Sequence, residues 1–205
     1  VARRRDSTIE DSVFLNIPYD EEFKTLYLAY IAGLVNLGLI PVVTLGLPGG
    51  TRRLEKIFAL IRDCRYSVHD ISRVTLDKKS PATPRFNMPF ELGLAVAWEN
   101  LNPTDHTWFV FEEKSYRLQK SLSDLNGTDP QIHGGTVSGV LRELSNIFRR
   151  DRGQPTVSQM MKTYQSIARH SSAVQVGAGA SSLYEAEVFR ELCYQAKISV
   201  EVRNA

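Results

Sequence analysis

The chain has 205 residues, 42 % of them hydrophobic, which is enough to bury a full core in one domain or in one domain with an appendage. Its 25 basic and 23 acidic side chains nearly cancel to a formal charge of +2, so composition does not indicate a nucleic-acid binder. No stretch reaches the roughly 18 apolar residues of a membrane span, and the opening Val1-Ala2-Arg3-Arg4-Arg5-Asp6 lacks the apolar run of a secretory signal, so the expected compartment is the cytoplasm, with no membrane partner.

A basic arm, residues 1–11, precedes the first predicted strand, Ser12 to Ile17, which Pro18 stops before the acidic turn Tyr19-Asp20-Glu21-Glu22. Phe23, Leu26, Tyr27, Tyr30, Ile31 and Leu34 then recur at three- and four-residue steps, one buried stripe of a helix that Gly38 ends. A second strand is predicted over Leu39 to Leu45. Its loop, Gly46-Leu47-Pro48-Gly49-Gly50, leads to Thr51 as N-cap of a helix with Leu54, Ile57, Phe58 and Ile61 on its inner face. The third strand, Tyr66 to Asp70, is followed by a polar loop and then by a helix for which Asn87 is the expected cap, with Pro89 tolerated in its first turn. Thr107 to Phe111 is the fourth strand.

Strands alternating with helices predict a doubly wound α/β domain with a mainly parallel sheet over residues 12–112. Over residues 113–205 the pattern becomes mainly helical: a short helix from Leu118 to Leu125, a turn-rich break at Asn126 to Pro130, and stripes led by Val140, Val157 and Leu183. The alternating Ile198-Ser199-Val200-Glu201-Val202 predicts a terminal edge strand. This helical C-terminal region is expected to pack on the sheet domain as an appendage.

Chemistry is expected where the carboxyl ends of the strands share one crevice. Glu91 is the one carboxylate in the apolar run Met88 to Trp98, so it must be satisfied by partners, serve the helix dipole, or be held for a reaction. Asp70 ends the third strand at the same crevice, and Asn16, Tyr19, Asp20, Arg73 and Asn87 complete the candidate set. Asn87 and Glu91 stand four residues apart and share a helix face.

Gly49 and Gly50 match neither a dinucleotide fingerprint nor a P-loop; they make either a plain tight turn or a backbone cradle for an anion beside Arg52-Arg53. The other basic clusters read first as solvated surface. His133 lies in a loop that reaches a site or is an ordinary surface or satisfied histidine. With no Gly-x-Ser-x-Gly elbow, acyl transfer is disfavoured. Cys64 and Cys193 have no metal-ligand spacing and read as reduced core thiols, so neither a metal nor a cofactor is expected.

The segment Asn87-Met88-Pro89-Phe90-Glu91-Leu92-Gly93-Leu94-Ala95 resembles the glutamate-leucine-glycine-aromatic-alanine motif of nucleoside 2-deoxyribosyltransferases. The broader layout of residues 12 to 112 also resembles Toll/interleukin-1 receptor (TIR)-like domains that cleave NAD. Both resemblances imply a helix-borne glutamate that cleaves a bond between ribose and a base on a small flavodoxin-like sheet. On that footing Glu91 is the expected catalyst and Asp70 helps hold sugar or base. For that chemistry Tyr19 and Phe86 are either ordinary packing residues, the first reading of each, or a ring that stacks on the base. The sequence departs from the transferases in its first-strand loop, Asn16 to Asp20, and in its helical second half. The expected partner is a small-molecule nucleotide or nucleoside, and a homo-oligomer is left open. The alternatives are a nucleotide-sensing module without catalysis and a protein-interaction scaffold.

Overall fold

The computed structural model describes residues 10–46, 53–74, 76, 80–150 and 153–204. They fall into two compact units that interleave along the chain. The first is drawn from Val1–Pro18 and Val42–Gly134, and the second from Tyr19–Pro41 and Gly135–Ala205.

The first unit carries the sheet. Its strands are β1 (Ser12–Asn16), β2 (Ile40–Val42), β3 (Tyr66–Asp70), β4 (Thr107–Glu112) and β5 (Gln131–Ile132), in the order β2-β1-β3-β4-β5. The division between the units falls within β2. Parallel registers align Asn16 with His69, Asp70 with Phe111 and Glu112 with Ile132. This is the order of a flavodoxin-like, doubly wound α/β fold, whose ligand crevice lies outside the strand ends where the order reverses, between β1 and β3.

Two helices, α2 (Arg53–Asp63) and α3 (Asn87–Leu101), supply the apolar cover. Phe14 meets Ile57, Ile61, Cys64 and Ala95 in one cluster, with Trp98 and Trp108 packed against it. A second cluster joins Ile71 and Val110 to Met88 and Leu92 of α3 and to Leu118 of α4 (Arg117–Ser121). The predicted Leu118–Leu125 helix is thus α4 followed by a 3-10 turn at Ser123–Leu125. β2 is only three residues long rather than seven, and Pro41, which has no N–H for a ladder, lies within it. Asn87 is the first helical residue of α3 instead of its cap; Phe86 takes that place without a side-chain hydrogen bond. The expected Thr51 cap lies outside the described residues.

The second unit is helical: α1 (Lys24–Asn36), α5 (Val137–Ile147), α6 (Val157–Gly177) and α7 (Ala186–Asn204). Sequence periodicity gives α1 one buried stripe, but every residue from Leu26 to Leu34 is buried, because α5, α6 and α7 all pack on it. Gly33 leaves room for this approach: a Cβ there would lie 2.5 Å from Leu144 Cδ1, so that side chain would have to shift. α6 opens on a capping box between Thr156 and Gln159. Arg203 ties the end of α7 to its neighbours, donating to Asn36 Oδ1 at 2.9 Å and to the Gln159 carbonyl at 3.0 Å.

The expected edge strand at 198–202 is corrected by this arrangement: those residues lie inside α7. Val188, Leu192 and Ala196, all fully buried, set a four-residue period that the five-residue alternation obscured.

Candidate functional site

At the switch point, Asn16 ends β1 and is 5 % exposed. Its amide donates to His69 Nδ1 at 2.9 Å and to the Met88 carbonyl at 3.0 Å, which fixes the first turn of α3 against the strand ends. An amide N–H only donates, so His69 Nδ1 accepts and its Nε2–H donates to Ser67 Oγ at 2.9 Å. The Ser67 hydroxyl donates to His106 Nε2 at 2.9 Å, and His106 Nδ1–H donates to the Cys64 carbonyl at 2.9 Å. The chain is satisfied from end to end with both imidazoles neutral. Burial, followed by the neighbouring His106, lowers the His69 pKa to about 3.

Glu91 is the fifth residue of α3 and is 9 % exposed. Met88 and Leu92 face the Ile71 and Leu118 cluster, whereas Ala95 faces the Ile57 and Ile61 side chains of α2. The i, i+4 step from Glu91 to Ala95 therefore places the carboxyl on the α2 side, where Arg53 begins that helix. Burial pushes the Glu91 carboxyl up to about 7, and the field of Arg53 pulls it partly back down. The described residues form no hydrogen bond or ion pair with this carboxylate. Glu91 stands beyond the first four residues of α3, where the helix dipole acts most strongly.

Asp70 is fully buried and otherwise engaged. Its Oδ1 accepts the Ser72 backbone N–H at 2.9 Å, and Oδ2 lies 3.3 Å from His133 Nε2. Ser72 Oγ lies 3.0 Å from that same nitrogen. In a hydrolase triad the carboxylate and the hydroxyl occupy opposite imidazole nitrogens, so this Ser, His and Asp set is not an acyl-transfer centre.

Beside it, Arg117 Nε donates to Glu112 Oε2 at 2.8 Å, and its Nη2 donates to Glu112 Oε1 and, at 2.7 Å, to the Ser72 carbonyl. Glu112 is fully buried. This network closes the ends of β3, β4 and β5.

The sequence-derived candidates thus divide. Asn16, Asp70, Arg73, Asn87 and Glu91 belong to the sheet unit, Arg73 half-buried and Asn87 exposed. Tyr19 and Asp20 belong to the helical unit. There Tyr19 packs against the rings of Tyr27 and Tyr184, and Asp20 caps a 3-10 turn through Phe23 N–H at 3.1 Å. Gly49, Gly50 and Arg52 lie outside the described residues. Sequence reasoning passed over the Glu112 to Arg117 pair, which joins the end of β4 to the start of α4 five residues on, and left His133 open because its partners Asp70 and Ser72 stand some sixty residues away and leave no local spacing signal.

Among the described residues no group of three or more metal-ligating side chains occurs, and no helix is long and apolar enough to cross a membrane. Among the described residues, α6 and α7 of the helical unit carry two grooves, of about 720 Å³ and 420 Å³. Comparison with family models, curated proteins and solved structures finds no match to this chain.

Proposed function

We propose that the chain is an N-glycosidase that cleaves the bond between ribose and base in a nucleotide, nucleoside or NAD-like molecule, with Glu91 as nucleophile or oxocarbenium stabiliser. The observation that carries this reading is a buried carboxyl, one residue past the first turn of the helix that Asn16 ties to the end of β1, with no partner among the described residues and Arg53 for its nearby cation. A group titrating near 7 interconverts readily between acid and carboxylate at neutral pH.

In the proposed reaction the Glu91 carboxylate faces the anomeric carbon while the bond to nitrogen breaks and the base departs with the electron pair. Developing positive charge on the sugar is stabilised directly or captured as a glycosyl ester. Water then adds to the sugar and restores the carboxylate; its proton goes to the departed base of a nucleoside, or to solvent where the leaving group is an already neutral nicotinamide. Asn16 keeps its Oδ1 to accept a sugar hydroxyl, because both of its amide hydrogens are committed within the protein. Asp70 shapes the strand-end loop through Ser72 and His133. The exposed Phe86 ring offers a surface for the base.

Incubation with NAD and with deoxynucleosides, followed by chromatography for free base, tests the proposal; release from one of them is expected, and release from none contradicts it. A second reading, a nucleotide-sensing or protein-interaction module, is favoured by the placement of both grooves on α6 and α7. Calorimetric binding of a nucleotide without turnover would select it.

A further inference from the structure

We propose that the outer face of the α6–α7 hairpin is a self-association surface on which a second copy of this chain docks about a two-fold axis passing near His170 and Gln195. The two grooves on this face share His170 and Gln195, so they form one continuous track along the hairpin. These two residues are also its midpoint. Lys162 lies eight residues before His170 on α6, while on α7 Glu187 lies eight residues before Gln195 and Arg203 eight after it. At 1.5 Å per residue, each charge stands about 12 Å from the centre.

The sign of the charge reverses across that centre. Glu187 and Glu191 line the end next to the interhelical turn, accompanied by Arg190, whereas Lys162 and Arg203 line the other end with no acid among the lining residues. α6 contains no carboxylate anywhere along its length. A two-fold rotation about the midpoint lays the acidic end of one copy on the basic end of the other, twice over. A parallel face-to-face pairing would instead put like charges together, so the pattern selects the antiparallel arrangement. Large apolar side chains line the track, Tyr194 beside its centre at 58 % and Val202 near its basic end at 72 % exposure, and they supply surface to bury in the contact.

The test is sedimentation velocity on the 205-residue chain. The wild type is expected to dimerise at micromolar concentration and to dissociate as salt is raised. The variant Glu187→Lys with Glu191→Lys, and separately Lys162→Glu, should each sediment as monomers. Mixing the two variants should restore a dimer, because one pair of facing ends is then wild type against wild type and the other sets the introduced lysines against the introduced glutamate. That recovery also shows that both variants fold. A wild type that stays monomeric up to about 100 micromolar, a dimer that tolerates both variants, or variants that do not recombine on mixing would each overturn the proposal; the concentration ceiling is an order-of-magnitude choice for weak association.

Discussion

Arg53, at the start of α2, works electrostatically against burial at Glu91, the lone carboxylate of the apolar part of α3. Burial dominates and the carboxyl rises to about 7, so the cation tempers the shift without cancelling it. Arg53→Ala removes a positive charge that lowers this pKa. The Glu91 titration, followed by NMR of isotopically labelled carboxylates, is expected to move above the wild-type value. An unchanged or lower midpoint would disconnect the two residues.

The same burial makes stability depend on pH. The folded-state pKa of Glu91 is raised above its free value of 4.5, so the acid form favours folding below about 4.5 and that contribution is lost as pH rises through about 7. The difference corresponds to about 3 kcal/mol at most. Glu91→Gln should therefore be more stable than wild type at pH 8 by up to this order, and the gap should close below the free value. Urea denaturation at the two pH values reads it directly. A variant that is less stable at pH 8 would mean that the carboxylate is satisfied by the fold.

His69 gives the opposite sign. Its folded pKa is lowered from 6.5 to about 3, so the neutral ring contributes stability above about 6.5 that is lost as pH falls toward 3. His69→Gln should be less stable than wild type at neutral pH, where it disturbs the bonds to Asn16 and Ser67, yet lose less stability on acidification. Equal slopes of stability against pH in the two proteins would remove His69 from the acid response.

The thiols should be inert. Burial pushes Cys64 up to about 11 and Cys193 up to about 12, so few thiolates exist at neutral pH. Alkylation by iodoacetamide is expected to be slow in the native protein and to reach both thiols once denaturant is added. Rapid labelling of Cys64 under native conditions would contradict its placement beneath α2 and α3.

Much of the sheet was legible in the sequence because β1 and β4 are compact apolar runs and β3 is a short segment bounded by a helix and a polar loop, and Glu91 stood out as a solitary acid among apolar neighbours. What stayed hidden depends on distant parts of the chain. The all-round burial of α1 is produced by helices more than a hundred residues downstream, and its grouping with them cuts across chain order. β5 has only two residues, too few to show a period, yet it delivers His133 to Asp70 and Ser72. In 198–202 a local alternation competed with the longer helical stripe, and the stripe won because packing of Leu192 and Ala196 acts over the whole length of α7.

The most direct measurement is base release from NAD and deoxynucleosides by wild type and Glu91→Gln side by side, since the amide keeps the shape of the side chain but cannot become an anion. The account predicts free base from the wild type and a loss of at least about a hundredfold in the variant, on the scale of a single electrostatic catalytic group. Equal release by the two proteins would contradict it.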